Sequence, residues 1–235
     1  MLLAVLLFVV VAFTGYSASL AWGRDRWKTI DALKAIRWWM VPLCLAHLAV
    51  ALLIALALWD LPVFSLGWYE LVSGKPGNAI LGQSEDDTTL ARVLAVSLPM
   101  VFAAAVPAEA RGEEELFRAG SQHRTRPRRL LIATGFGLAH LGIGVPIAAA
   151  VALIASGVFY EQVYLRRHQG HVAGTASTIE HVRNRDGDEK AAEFAALTDR
   201  VAQRDAIDTA TATHCVSNWI VLLAFAISLT FQTFT

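Results

Sequence analysis

Six polar residues in the apolar parts of this chain have the types and spacing needed for acid–base chemistry: Glu113, Glu114, Arg118, His140, His214 and Asn218. Glu114 and Arg118 are four residues apart with the acid nearer the N-terminus, the favourable orientation for an ion pair along a helix face. Glu113 is rotated by about 100° from Glu114 around a helix, so it has no partner within that helix. We therefore expect Glu113 to be the general base and the other two residues to hold the helix end.

The remaining polar groups lie on two further helices. Phe136 and His140 share one helix face, and His214 and Asn218 share another, because each pair is four residues apart. A carboxylate beside an imidazole can take a proton from water, and Asn with His can donate hydrogen bonds to a developing oxyanion. Ionisable residues cost about 2.5 to 3.5 kcal/mol each in hydrocarbon, so those retained there usually have a function. His47 is interpreted instead as a packing residue.

The composition indicates an integral membrane protein. The 235 residues are 55% hydrophobic and 17% charged, with a mean hydropathy of +0.48, above what a soluble domain needs. The net charge of zero does not point to nucleic acid. Cys44 and Cys215 both lie in apolar segments and are interpreted as buried thiols rather than a disulfide.

Apolar runs of about 20 residues, the length that crosses the hydrocarbon core, predict an all-α, polytopic transmembrane bundle of about six helices. Basic residues follow the first run and none precedes it, which favours a signal anchor with its N-terminus outside over a cleaved signal peptide. Four of the spans are single apolar runs, at 1–22, 38–61, 90–111 and 216–234.

Segment 130–165 is long enough for one tilted span or for two short spans broken at 142–146. The distribution of charged residues distinguishes the two interpretations. Two spans place 18 of the 20 Lys and Arg residues in three cytoplasmic segments, as the positive-inside rule requires. A single span would place the basic residues of segment 166–213 on the outer side of the membrane. Two spans are therefore predicted, and the three cytoplasmic segments are 23–37, 111–129 and 166–213.

Three motifs occur in order on successive hydrophobic helices: Glu113-Glu114-x-x-x-Arg118, Phe136-x-x-x-His140 and His214-x-x-x-Asn218. In this the chain resembles the CPBP family, which comprises CAAX proteases and bacteriocin-processing enzymes and includes the type II CAAX prenyl endopeptidases. The resemblance covers about 89–235, including the Gly-Val-Phe-Tyr run at 157–160, whereas 1–88 matches only as generic spans. It implies a catalytic helix bundle over 89–235, preceded by two transmembrane helices and an outer loop at about 62–88.

The resemblance implies an intramembrane endopeptidase that acts on a peptide or a membrane protein. In it, Glu113 and His140 would activate a water, while His214 and Asn218 would hold the oxyanion. Zinc is a possible cofactor, with Glu113, His140 and His214 as three ligands and an open position. A metal-free glutamate mechanism suits the set better, because Asn218 is a poor zinc ligand. The expected location is the plasma membrane of a bacterium, with the site facing the cytoplasm.

The chain departs from the family between its last two motif helices, where 166–213 replaces a short loop. Phe194, Leu197 and Val201 at helical spacing predict an amphipathic helix over about 188–208, docked on the bundle or the membrane surface. The predicted cavity opens on this side, so the insertion is a candidate substrate gate. Two alternatives to proteolysis remain open: a non-catalytic binding, immunity or scaffold protein of the same family, and a proton-coupled transporter that uses the same buried residues.

Overall fold

The computed structural model describes residues 2–66, 89–143 and 145–234, and within them the chain forms seven α-helices and no strand. The all-α prediction is confirmed for this part of the chain, and most of the predicted outer loop, 67–88, lies outside it. Two 3₁₀ turns, Ser121–His123 and His140–Ile143, precede and follow the fifth helix. The helices are α1 (Leu2–Trp22), α2 (Arg26–Ala35), α3 (Met40–Trp59), α4 (Thr89–Arg118), α5 (Arg126–Ala139), α6 (Ile147–Asp186) and α7 (Asp188–Phe234).

Within the described residues, α3 and α6 are the two helices long and apolar enough to cross a membrane. The 20 residues of α3 extend about 30 Å at 1.5 Å per residue, which matches the hydrocarbon core of a bilayer. Leu52, Leu53 and Leu56 on α3 are 58%, 66% and 56% exposed. An apolar surface of this kind is suited to contact with lipid.

Segment 130–165 contains two helices rather than one. α5 ends at Ala139, a 3₁₀ turn follows, and α6 begins at Ile147 directly after Pro146. Proline has a backbone φ preset for a helix start and no N–H that would be left unpaired there. The predicted break at 142–146 is therefore confirmed.

The two ends of the bundle gather different segments. The Ile147 N–H donates to the Leu66 carbonyl at 3.2 Å, so the start of α6 lies beside the chain that follows α3. At the other end, Arg204 of α7 contacts Asp31 of α2 at 2.9 Å. A further ion pair, between Arg111 and Asp208, joins α4 to the same part of α7. This second end collects the three segments richest in basic residues: 23–37, 111–129 and 166–213.

α4 is held between α1 and α7 by two tryptophans. Pro107 has no N–H, so the carbonyl of Ala103, four residues earlier, has no donor within the helix. The indole Nε1 of Trp219 donates to that carbonyl at 3.0 Å, and Trp22 Nε1 donates to the neighbouring Ala104 carbonyl at 2.9 Å. The Trp219 bond fixes α7 against α4 and the Trp22 bond fixes α1 against it, at carbonyls about three turns before Glu113.

α6 and α7 form a long antiparallel hairpin. They contain 40 and 47 residues, about 60 and 70 Å at the helical rise. They meet at Gly187, whose φ of +92° favours glycine. Ala206 and Ala210 of α7 pack on Tyr164 and Leu165 of α6. The insertion 166–213 therefore continues the two flanking helices instead of forming a separate loop.

The predicted amphipathic helix over 188–208 is part of α7, but its apolar stripe is not the buried face. Leu197 and Val201 are 51% and 47% exposed, whereas Ala191, Thr198 and Ala202 are buried. Small side chains on that face let two helices approach closely. The helix is confirmed, and Leu197 and Val201 do not dock on the bundle. Docking of this stripe on the membrane surface, the other alternative, stays a prediction.

Candidate active site

The last turns of α4 carry the acidic cluster. Glu114 and Arg118 are fully buried, and Glu114 Oε2 lies 3.7 Å from Arg118 Nε. The predicted i,i+4 ion pair is therefore present. It is too long for a hydrogen bond, so Arg118 is held by charge and by its aromatic surroundings. Its guanidinium lies over the Phe136 ring at 4.8 Å and beside Phe117 at 5.6 Å, distances at which cation–π attraction acts.

The other carboxylate oxygen of Glu114 contacts a residue 100 positions away in sequence. Glu114 Oε1 lies 2.9 Å from His214 Nδ1, and the imidazole is buried. An ionised carboxylate only accepts hydrogen bonds, so Nδ1 carries the proton and donates it to Glu114. A histidine ring fixed in this way has one tautomer and one orientation when neutral. Glu114 thereby presents His214 Nε2 to the space beside Glu113.

Glu113 lies at the opposite nitrogen of the same imidazole. Its Oε2 is 3.8 Å from His214 Nε2, and the side chain is 34% exposed. In the described part of the chain, this oxygen is buried without a hydrogen-bond partner. A separation of 3.8 Å is too long for a direct hydrogen bond to His214. Glu113 therefore keeps a partly exposed side chain whose Oε2 is not committed to another described residue.

Two aromatic rings enclose His214. Tyr160 stacks on the imidazole with centroids 4.4 Å apart and an interplanar angle of 20°, and Phe136 meets it edge-on at 5.9 Å. Both rings are buried. They keep water from the sides of His214, which strengthens its hydrogen bond to Glu114 because the local dielectric is low.

Two glycines allow α5 and α6 to approach closely enough to place these rings. A Cβ at Gly157 would lie 2.9 Å from the Ala133 carbonyl oxygen, and a Cβ at Gly137 would lie 2.6 Å from the Ala150 carbonyl oxygen. Side chains at either position would push the helices apart. The Gly-Val-Phe-Tyr run at 157–160 thus acts through packing, since Gly157 sets the distance between α5, which carries Phe136, and α6, which carries Tyr160.

His140 is not brought to the acidic cluster. Its Nδ1 lies 2.8 Å from the Phe136 carbonyl oxygen, and its ring meets the Phe136 ring at 4.9 Å. Within residues 2–66, 89–143 and 145–234, no hydrogen bond or ion pair joins His140 to Glu113 or His214. His140 therefore makes no direct contact with Glu113, because its Nδ1 is bonded back to the end of α5. Joint action of the two residues on one water stays a prediction.

Asn218 follows His214 by one turn on the same face of α7. Its side chain is half-buried and makes no hydrogen bond to any other described residue. The amide N–H groups are therefore not committed to any group in the described part of the chain. The structure places Asn218 beside the site without joining it directly to the acids.

The donor arrangement does not fit the zinc alternative. Glu113, His140 and His214 are not grouped, and the described residues contain no group of three or more His, Cys, Asp or Glu side chains able to hold a metal ion. A catalytic zinc site needs three converging protein ligands and an open position.

Glu161 on α6 is a buried acid that sequence reasoning missed. Its Oε2 accepts a hydrogen bond from Ser121 Oγ at 3.0 Å and lies 3.9 Å from Arg118 Nε. Its Oε1 lies 3.6 Å from Arg129 Nε. The signal was available, because Glu161 is an ionisable residue inside the apolar segment 130–165 and passes the same filter that selected the other acids.

The residues that the sequence analysis interprets as packing groups are buried and make packing contacts. His47 Nε2 lies 3.0 Å from Ser156 Oγ, and the ring stacks on Phe159 with centroids 4.2 Å apart. Cys44 and Cys215 are buried free thiols. The expectation that both cysteines are buried thiols is confirmed, and the contacts of His47 are those expected of a packing residue.

In comparisons with known proteins, no family model, no curated protein and no solved structure matches this chain. Function is therefore inferred from chemistry that the side chains can perform together. The structure joins Glu113, Glu114, Arg118 and His214 in one cluster, with two carboxylates on opposite nitrogens of a buried imidazole. Such a cluster can move a proton and stabilise a developing negative charge.

Proposed function

We propose that this protein is an intramembrane endopeptidase of the CPBP type, in which Glu113 activates a water molecule. The observation that carries the proposal is the arrangement around His214. Glu114 Oε1 lies 2.9 Å from its Nδ1, and Glu113 Oε2 lies 3.8 Å from its Nε2. One carboxylate orients the imidazole, and the other remains available for proton transfer.

In the proposed reaction, Glu113 takes a proton from the water as the water oxygen attacks the carbonyl carbon of the scissile peptide bond. The carbonyl electron pair moves to the carbonyl oxygen, which gives a tetrahedral oxyanion. Glu113 then passes its proton to the peptide nitrogen as the C–N bond breaks. The products are a carboxylic acid and an amine, and Glu113 returns to its ionised form.

His214 is proposed to stabilise the oxyanion. In its protonated form Nε2–H donates to the developing charge, while Glu114 accepts Nδ1–H and stabilises the charged ring. Asn218, one turn along the same face, supplies a second donor through its uncommitted amide. In this account Glu114 is a positioning residue, and the joint action of His140 with Glu113 on the water stays a prediction.

The proposal includes a membrane placement with about six spans, the N-terminus outside and the site at the cytoplasmic end. Three observations support it. α3 and α6 have the length and composition of spans. The segments that hold 18 of the 20 Lys and Arg residues lie at one end of the bundle. Glu113 belongs to the part of α4 that is at this end, near its last residue, Arg118.

The activity can be tested on peptides cut from the host membrane proteome. Purified protein in liposomes is incubated with that peptide mixture, and new N-termini are identified by mass spectrometry. We expect the wild type and Glu115→Gln to generate the same termini and Glu113→Gln to generate none. Glu115 is the matched control because it is an exposed acid on the same helix, paired with Arg111 and not with His214. No new termini with the wild type, or equal termini with Glu113→Gln, would favour a non-catalytic binding protein.

A proton-coupled transporter is the second candidate function. A chain of buried ionisable groups favours it: Glu161 contacts Arg118, Arg118 contacts Glu114, and Glu114 contacts His214. Liposomes that contain a pH-sensitive dye would show proton entry on application of a pH gradient. Entry that depends on Glu161 and His214 would support transport, whereas no entry above that of empty liposomes would exclude it.

A further inference from the structure

A groove between α5 and α6 lies apart from the candidate active site. It has a volume of about 510 Å³, within the range of roughly 300 to 1,000 Å³ typical of small-molecule sites. It contains none of the six residues selected from the sequence for chemistry. Its principal lining residues are Arg126, Arg129, Leu130, Ala133, Val158 and Arg166.

Positive charge dominates one end of the groove. Three arginines line it against one acid, Glu161. Arg129 is committed, because it lies 3.6 Å from Glu161 and donates to the Ser121 carbonyl at 3.0 Å. Arg126 and Arg166 are exposed, and neither has an ion pair or a side-chain hydrogen bond among the described residues. Two guanidinium groups at the mouth are therefore free to bind an anion.

The groove changes from charged to apolar in the same direction along both helices. On α5 the distance from Arg126 to Ala133 is about 10 Å, and on α6 the distance from Arg166 to Val158 is about 12 Å, at 1.5 Å per residue. Leu130 is 57% exposed and Val158 is 38% exposed. The arginines lie toward the end of the bundle that carries the basic segments. The groove is thus amphipathic along its length.

We propose that this groove binds an anionic phospholipid. Its phosphate contacts Arg126 and Arg166, whose planar guanidinium groups match phosphate geometry. One acyl chain lies on Leu130, Ala133 and Val158. Basic pockets between transmembrane helices near the cytoplasmic surface suit anionic head groups. The inference rests on the membrane placement proposed above and is independent of proteolysis.

The charge and the length of the groove argue for this occupant. A soluble phosphate would use only the arginine end and leave the apolar half uncovered. A zwitterionic lipid would bring an ammonium group toward two uncompensated arginines. An anionic lipid satisfies both halves of the groove, since it couples a phosphate to a hydrocarbon chain.

The test measures lipid binding to the purified full chain in detergent by native mass spectrometry. The probes are phosphatidylglycerol, phosphatidylcholine and soluble glycerol phosphate. We expect phosphatidylglycerol to bind most tightly, and the double variant R126Q/R166Q to weaken it by roughly 30-fold. The Leu130→Ser variant should bind phosphatidylglycerol more weakly than the wild type does. Its affinity for glycerol phosphate should be unchanged.

The matched control is R24Q/R200Q, which removes the same charge from two exposed arginines outside the groove. It should leave phosphatidylglycerol binding within about twofold, because neither arginine lines the groove and exposed charges are screened by salt. Equal loss in both double variants, equal binding of phosphatidylcholine, or glycerol phosphate binding as tightly as the lipid would overturn the proposal. The lipid-binding assay contains no peptide substrate. Its outcome therefore does not depend on whether the protein is a protease.

Discussion

Glu114 Oε1 lies 2.9 Å from His214 Nδ1, across 100 residues of sequence and between the last turns of α4 and the middle of α7. Both side chains are buried, so the hydrogen bond forms where it cannot be replaced by water. It determines which nitrogen of His214 faces Glu113. Every chemical role proposed for the cluster depends on this orientation.

Replacement of Glu114 by Gln should therefore lower kcat and leave KM nearly unchanged. The amide keeps the shape of the carboxylate but cannot stabilise a charged imidazole, and loss of an orienting partner typically costs roughly 10- to 100-fold in activity. The measurement is the full kinetic profile in liposomes, with Glu115→Gln as the control. A Glu114→Gln enzyme with unchanged kcat, or with a change in KM alone, would show that Glu114 does not position His214.

The hydrogen bond from Trp219 to the Ala103 carbonyl should contribute less to the free energy of unfolding once Pro107 is replaced. Trp219→Phe leaves a carbonyl without a donor, which costs about 1 to 3 kcal/mol where the group is buried. In a Pro107→Ala background the helix regains an N–H for that carbonyl, so Trp219→Phe should cost clearly less. The free energies of unfolding of the four proteins in a double-mutant cycle measure the difference. Additive effects would mean that the indole does not substitute for the missing helical donor.

Gly157→Ala should separate α5 from α6 and disturb the site from a distance. The added Cβ would lie 2.9 Å from the Ala133 carbonyl oxygen, and overpacking of this kind costs about 1 to 3 kcal/mol. Phe136 on α5 would also move away from Tyr160 and His214. Gly170→Ala is the matched control on the same helix, because a Cβ there meets nothing within 4 Å. It should stabilise the protein by about 1 kcal/mol through helix propensity. Thermal unfolding of both variants in detergent checks the prediction, and equal melting temperatures would contradict it.

Chelators should leave the activity unchanged. The described residues offer no three-ligand group for zinc, and the proposed base is the carboxylate of Glu113 itself. Cleavage rates are measured after dialysis against a strong chelator and again after zinc is added back. Loss of activity that zinc restores would contradict the metal-free mechanism.

Much of the fold follows from the sequence. Apolar run lengths predict the helices, and Pro146 predicts the break before α6. The long hairpin was not foreseen, because segment 166–213 is polar and contains Gly170 and Gly174, which α6 accommodates without ending, as well as Gly187 at the turn. The stripe of Phe194, Leu197 and Val201 suggested a buried face, yet α7 buries alanines instead. Helical periodicity identifies a face but not the size of residue that a close helix contact requires.

The candidate site was predictable only in part. Spacing within one helix gave the ion pair of Glu114 with Arg118, because i,i+4 geometry is local. The contact of Glu114 with His214 depends on how α4 crosses α7, and no local pattern determines that. His140 was expected beside Glu113, but its Nδ1 is bonded back to the end of α5. Glu161 was overlooked although it stands in an apolar segment.

The most direct test of the central claim is the rate of peptide-bond hydrolysis by Glu113→Gln compared with Glu115→Gln, in liposomes and on one peptide that the wild type cleaves. A positioned general base typically contributes roughly 100- to 10,000-fold to a rate. We expect Glu113→Gln to lose at least about 100-fold in kcat with an unchanged melting temperature, and Glu115→Gln to retain nearly full activity. A Glu113→Gln protein that hydrolyses the peptide at the wild-type rate would contradict the assignment of Glu113 as the base.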